Sequence, residues 1–429
     1  MTSLMDANII DPDLFPAEQG PPHAVFDAWR QADPVHWNPP NPDYRVTIPG
    51  NSLHKGFWVL TRYKDVFDVS MNQELFSSWE AGLVIWDTEG PELERQRANF
   101  MGMKPADHAA VRKVINPPFM PGALRAIEPR IAAVARRIVD DVAAKGACEF
   151  VFDVAEKLPV HTFCELMGIP EHLRETVANY GNALADVETR GNHSLDPLIG
   201  LHAVAMEVAE QKRRNPDDGL MSAMVNDTSL ALGDMAISQF FLVFAMAGHE
   251  TTRSTAAHFF HLMHRHPGQL ALLMEDFDGR IDNAIDEVLR YTSTTTNFRR
   301  TATADTEIGG VPVKRGDKIY LSYAAANRDP AVFEDPHRFD ILRSNARRHL
   351  AFGAGPHICI GARLAKLQLQ ILIREVLTRL PDLALDGEPE WMRSIWFNAI
   401  IRMPVRFTGP GDQLLSQKQG VRGDPEPFA

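Results

Sequence analysis

Cys359 sits in the stretch HLAFGAGPHICIGARLAKLQ, residues 349–368, with Gly353 and Gly355 before it and Gly361 after it. A sulfur so placed has three open roles: metal ligand, nucleophile with His357 as its general base, or small buried apolar group. The glycines permit positive φ and let backbone approach a large flat group. A helix beginning just past Cys359 would aim its free N–H groups and positive dipole end at the sulfur, favouring thiolate over thiol. An anionic metal ligand calls for that geometry. The remaining cysteines, Cys148 and Cys164, are isolated and no CxxC pair exists, which argues against a disulfide framework and a thiolate zinc site. A reducing cytoplasm is the expected compartment.

Other groups have chemical spacing as well. AMAGHETT, residues 245–252, puts Gly248, Glu250 and Thr251 inside a helical run. A threonine there bonds the carbonyl four residues back and bends the helix. Thr252 follows about 100° round the helix and reads as structural; His249 reads as facing outward. His108 and Arg112 share one helical face, as do Glu287 and Arg290.

The elements that position these groups are mostly helical. Residues 1–50 are rich in Pro, Asn and Asp and hold short elements at most. GFWVLTRYKDVFDVS begins as a strand, with Phe57, Val59 and Thr61 alternating, and turns helical after Arg62. Residues 79–106 read as an irregular loop, long enough to be functional. From 107 onward, apolar residues recur at helical spacing over 107–115, 123–144, 154–168, 171–188 and 201–214, with a break at 191–197. The segment 231–267 is apolar almost all round in its middle and should cross the core. Residues 281–291 and 364–380 are further helices. Residues 302–323 alternate and turn at Gly309-Gly310 and Arg315-Gly316, predicting a small antiparallel sheet. Residues 400–409 close with a strand. The fold class is mainly α with minor β sheets. Residues 1–410 read as a single catalytic domain, with β-rich parts near 45–65, 300–325 and 395–408, and 411–429 as a disordered tail.

Composition narrows the class. The chain has 429 residues, 45% of them hydrophobic, and a net charge of −12, which argues against a nucleic-acid partner. The start has no basic or apolar signal-peptide region, and the most apolar run, 240–248, is too short to span a bilayer. A soluble protein without a membrane anchor is expected.

FGAGPHICIGARLA resembles the haem-binding loop of the cytochrome P-450 family, Phe-x-x-Gly-x-x-x-Cys-x-Gly, with Phe352, Gly355, Cys359 and Gly361 at every fixed place. Glu287 and Arg290 match the family's Glu-x-x-Arg, and PHRFDILR supplies Arg343 where a meander arginine completes a buried network. Residues 245–252 match the kinked central helix, with Glu250 where many relatives carry aspartate. His108 with Arg112, and Arg300 in FRRTATADTEIGG, match positions that hold haem propionates. The resemblance covers about residues 20–408, and five motifs in order make it specific.

It implies a triangular, prism-like helical domain with a small β-rich region, and haem b (iron protoporphyrin IX) as cofactor. Cys359 would be the iron ligand, with Phe352 and Gly353 on the sulfur side, Gly248 on the opposite side, and His108, Arg112, Arg300 and His357 on the propionates. Thr251 would donate a hydrogen bond toward oxygen and Glu250 would relay protons. Family position places Val84 and Trp86 (in the loop from Gly82), Asn182, Ala247, Thr295, Asn297 and Phe397 around the substrate. The function implied is a monooxygenase hydroxylating a terpenoid- or steroid-like molecule with O2. Electrons would come from NAD(P)H through a ferredoxin and its ferredoxin reductase, docked on Lys113, Arg347, Arg348 and Lys366; a monomer is expected. A hydroxylase of fatty or branched-chain lipids is the alternative. A non-catalytic haem protein, an electron carrier or sensor, is the alternative of another class, and the acid–threonine pair argues against it.

Overall fold

The computed structural model describes residues 4–15, 20–41, 51–190 and 196–408. The expected tail 411–429, most of the break at 191–197 and the side chain of Asn182 lie outside the described part.

Helices dominate, and one organises the rest. The central helix Asp234–Arg265 is buried on nearly every side and packs against helices Lys157–Met167, Asp196–Arg214, Phe277–Thr292 and Ala362–Arg379. Its fully buried Phe240, Phe241 and Phe259 explain why so apolar a segment crosses the core, each contributing about 1.5–3 kcal/mol by leaving water. Among the described residues no helix is long and apolar enough to cross a membrane.

The β-rich part is built on a five-stranded sheet in the order Val35–Asn38, Phe57–Leu60, Lys318–Ser322, Asn297–Ala302, Phe76–Ser77. Only the contact between Lys318–Ser322 and Phe57–Leu60 is parallel. The antiparallel sheet expected over 302–323 is divided: Thr306–Ile308 and Val311–Val313 form an isolated hairpin, while Lys318–Ser322 joins the larger sheet. The closing strand is also two, because Ile400–Arg402 pairs with Glu390–Trp391 and Pro404–Arg406 with Ala384–Leu385 and Ala147–Glu149.

Two other expectations need correction. The N-terminal region holds a ten-residue helix, His23–Ala32, whose Val25, Phe26 and Trp29 enter the core. Within the expected loop 79–106 lies the helix Gly90–Ala98. Its sequence, GPELERQRA, has no apolar face to reveal it. It starts with proline in the first turn and is held by the pairs Glu92–Arg95 (2.6 Å) and Glu94–Arg97 (2.9 Å).

Candidate active site

Cys359 follows a turn that brings its N–H to the Phe352 carbonyl at 2.8 Å. Gly353 and Gly355 adopt φ of +70° and +68°. At Gly355 a Cβ would lie 2.5 Å from the Ser70 carbonyl oxygen, so the loop can press against helix Tyr63–Met71 only with glycine there. The Ala362–Arg379 helix begins beyond Gly361.

The sulfur opens onto a cavity with about 1550 Å³ of empty space, solvent at its mouth included. The side chain is exposed by area, yet protein encloses the thiol elsewhere, and burial raises its pKa. The N–H groups of Gly361 and Ala362 and the Arg112 charge pull it down without reversing the shift. The N–H groups at the helix start thus act toward thiolate as expected, against the opposing effect of burial.

Four basic side chains converge on the same cavity: His108, Arg112, Arg300 and His357. The His108 and His357 rings stack with centroids 4.2 Å apart. His108 Nε2 and His357 Nδ1 are buried without a hydrogen-bond partner. Burial and the neighbouring guanidinium groups push His108 down to about 4 and His357 lower still. Among the described residues neither Arg112 nor Arg300 is paired with a carboxylate; Arg112 donates to the Ile358 carbonyl (3.0 Å) and Arg300 to the Arg299 carbonyl (2.8 Å). Two unpaired guanidinium groups and two orphaned ring nitrogens make a site for a dianion. Opposite, a Cβ on Gly248 would meet no protein atom within 4 Å. Ala247, Thr251 and Thr252 complete the central-helix wall, and Phe100, Phe244 and Phe298 give it an apolar lining. A flat apolar macrocycle carrying two carboxylates and needing a sulfur ligand fits these residues.

The family model for cytochrome P450 matches residues 161–406. The chain belongs to the cytochrome P450 family. It is 33% identical over 404 residues to a steroid C26-monooxygenase of Mycolicibacterium smegmatis, covering 91% of this chain and 92% of that protein. It is 30% identical to a methyl-branched lipid omega-hydroxylase of Mycobacterium tuberculosis, covering 90% of each. Among solved structures, a Mycobacterium marinum cytochrome P450 in complex with pseudoionone superposes with a TM-score of 0.82 at 35% identity, over 90% of this chain and 94% of the other. The protein is thus a bacterial haem-thiolate P450 with a mainly helical fold, an enzyme of the monooxygenase class that acts on hydrophobic molecules.

Within this P450, Phe352 and Gly353 join the cavity wall beside Cys359, as do Ala247 and Thr295. Several expected residues do not. Val84 and Trp86 face elsewhere, and it is Leu83 that lines the cavity. The Asn297 amide is spent on the Ile395 carbonyl (2.7 Å) and Thr296 Oγ1 (2.8 Å). Phe397 stacks on Trp396 and borders a separate crevice with Thr296 and Asn398. Position along a chain does not fix which way a strand or loop residue points, since one step reverses the face.

On the central helix Thr251 Oγ1 donates to the Ala247 carbonyl at 2.7 Å, the bond four residues back that its sequence position led one to expect. Its neighbours depart from expectation. Thr252 lines the cavity too. His249 is buried, not outward, and burial pushes it down to about 4. Glu250 is buried beside it, bonded to Arg253 and to Ser254 Oγ (2.9 Å). Burial pushes its carboxyl up, but Arg253 and Ser254 more than reverse that, leaving it below its ordinary value. Arg253 also holds Glu156 at 3.1 Å. The three-residue spacing of Glu250 and Arg253 was readable as a possible pair; Glu156, 97 residues away, carried no such signal.

Glu287 and Arg290 are fully buried, with Arg290 Nε 2.7 Å from Glu287 Oε2 and Arg343 Nε 3.2 Å from Oε1. Of the expected docking cations, Lys113, Arg347 and Arg348 are exposed. Lys366 is engaged, with both Asp286 carboxylate oxygens at 2.9 Å.

Proposed function

We propose that this P450 binds haem b and hydroxylates a terpenoid- or steroid-like molecule at an unactivated carbon, using dioxygen and electrons from NAD(P)H passed by a ferredoxin and its reductase. The reading rests on one observation above the others: a single cavity carries the Cys359 sulfur, four basic nitrogen donors lacking an anion, and a mostly apolar wall. Haem bound there supplies the reductive activation of dioxygen. Cys359 would hold its iron, and His108, Arg112, Arg300 and His357 its propionates. Thr251 presents a hydroxyl to the cavity and keeps that hydroxyl oriented through the Ala247 carbonyl. Glu250, held by Ser254 Oγ and by an Arg253 that also engages Glu156, would relay protons toward the cavity. The apolar rings exclude water from the reacting carbon. Exposed Lys113, Arg347 and Arg348 offer cations to an acidic ferredoxin in the cytoplasm.

Two relatives divide on substrate: one is named for steroids and one for methyl-branched lipids. The terpenoid–steroid reading is preferred because no cavity cation remains for a fatty carboxylate once the four donors are used. Titration of the ferric protein with pseudoionone, a steroid and linear or branched fatty acids, followed by the spin-state change, tests it. Tight shifts by the first two support the reading. Shifts by fatty acids alone, with terminal hydroxylation, would replace it with the lipid hydroxylase.

A further inference from the structure

The loop that contributes Leu83 to the cavity is gripped by two buried cations. Asn297–Ala302 and Lys318–Ser322 pair so that Tyr320 faces Arg299 and Ile319 faces Arg300. Side chains alternate across the sheet, so while Arg300 enters the cavity, Arg299 and Lys318 share the opposite face. There the two side chains take up three successive carbonyls, Val84, Ile85 and Trp86, and the Arg299 backbone takes the one before them. The Arg299 N–H donates to Leu83 (2.8 Å), and its Nη1 to Val84 (3.3 Å) and Trp86 (2.7 Å). Lys318 Nζ donates to Ile85 (3.2 Å) and pairs with Asp87 Oδ1 at 2.9 Å.

We infer that Arg299 and Lys318 are positioning residues for substrate selectivity: by gripping Val84–Asp87 with their side chains they hold the neighbouring Leu83 as a wall of the cavity. The inference rests on the cavity being the substrate site. Residues 83–86 belong to no helix or strand, and their side chains divide, with Leu83 in the cavity and Ile85 in the N-terminal core beside Phe57. Such a segment would be free to move without directional bonds to its backbone. Arg299 and Lys318 are only 3% and 2% exposed and share one nearby carboxylate, Asp87. An apolar anchor would be cheaper than two buried cations. Cations that bind named carbonyls add directional bonds, which apolar contact does not. The charged groups facing Lys318 are Asp87, Arg299 and Lys55, and burial pushes the lysine down to about 8.

The test uses holoenzyme carrying Lys318→Met, Asp87→Asn, both together, or Leu83→Ala. Amide exchange is read over residues 82–88, and dissociation constants for pseudoionone and for a tetracyclic steroid are taken from the spin-state change. Each single clasp variant should exchange about tenfold faster at 83–88 than the parent, with the rest of the sheet unchanged. The double variant should exchange more slowly than Asp87→Asn alone, because Arg299 alone, and not Lys318 as well, is then left without a carboxylate. Discrimination between the probes should fall in the clasp variants, and Leu83→Ala should reproduce that fall without faster exchange. Unchanged exchange, uniform acceleration of the whole sheet, or loose loops with parental discrimination would each overturn the inference. If Lys318→Met does not fold, Asp87→Asn carries both readouts. Failure of both probes to shift the parent protein would instead defeat the substrate reading, and the exchange result would still decide whether the grip exists.

Discussion

Glu287→Gln is expected to cost more stability than any surface change, and its size follows from the contacts. Glu287 Oε1 accepts from Arg290 Nη2 (2.8 Å), Arg343 Nε (3.2 Å) and the Asp340 N–H (3.0 Å), and Oε2 from Arg290 Nε (2.7 Å). Arg290 in turn donates to the carbonyls of Asn327 and Pro336, both at 2.9 Å, and of Arg338 at 3.2 Å. This single cluster ties helix Phe277–Thr292 to the turns that lead into the Cys359 loop. The amide keeps the shape but removes the only carboxylate, leaving Arg290 buried without a counter-charge. Breaking one side of a buried pair costs about 3–5 kcal/mol, against a total stability of roughly 5–15 kcal/mol. Urea unfolding of holoenzyme, followed by far-ultraviolet circular dichroism, should show a loss in that range together with reduced haem retention. Glu287→Leu combined with Arg290→Met should lose less than the single-mutant costs added together, since neither charge is then stranded. A Glu287→Gln loss below about 1 kcal/mol, the scale of an exposed pair, would refute the reasoning.

Arg300→Met removes one of the two unpaired cavity cations and should weaken haem retention by about tenfold or more, measured by transfer to an excess of haem acceptor. Thr251→Ala should leave haem content intact but divert electrons to peroxide, read as product formed per NAD(P)H consumed. Acid should destabilise the fold through its buried histidines. His249 and His258 are pushed from 6.5 to about 4 by burial, so each is neutral in the fold and imposes a penalty as pH falls through that window. The penalty approaches about 3 kcal/mol per residue near the lower limit. Comparing unfolding at about pH 7 and pH 5, His249→Gln should lose less stability than the parent.

The Cys359 loop and the positions of His108, Arg112, Arg300 and His357 were legible through motifs of the family that the sequence resembles, and the Glu287–Arg290 pair also through its helical spacing. The long helices were legible because their apolar faces repeat. Helix Gly90–Ala98 was not, since ion pairs and a proline start hold it instead of an apolar stripe. The substrate wall was read only in part. Ala247 and Thr295 line the cavity, but Val84, Trp86, Asn297 and Phe397 do not: residues 83–86 are irregular, so no periodicity gives their facing, the Asn297 amide is tied to the Ile395 carbonyl, and Phe397 stacks on Trp396. The Arg299–Lys318 clasp and the Glu156–Arg253 link join segments far apart in sequence, and no local spacing announces either.

The most direct test of the central claim is the absorption spectrum of the purified, reduced protein under carbon monoxide, with Cys359→Ser alongside. Thiolate ligation by Cys359 predicts a strongly red-shifted Soret band in the parent that disappears in the variant even where haem stays bound. A histidine-type Soret band in fully loaded parent protein at native pH, or a red-shifted band that survives in Cys359→Ser, would contradict it.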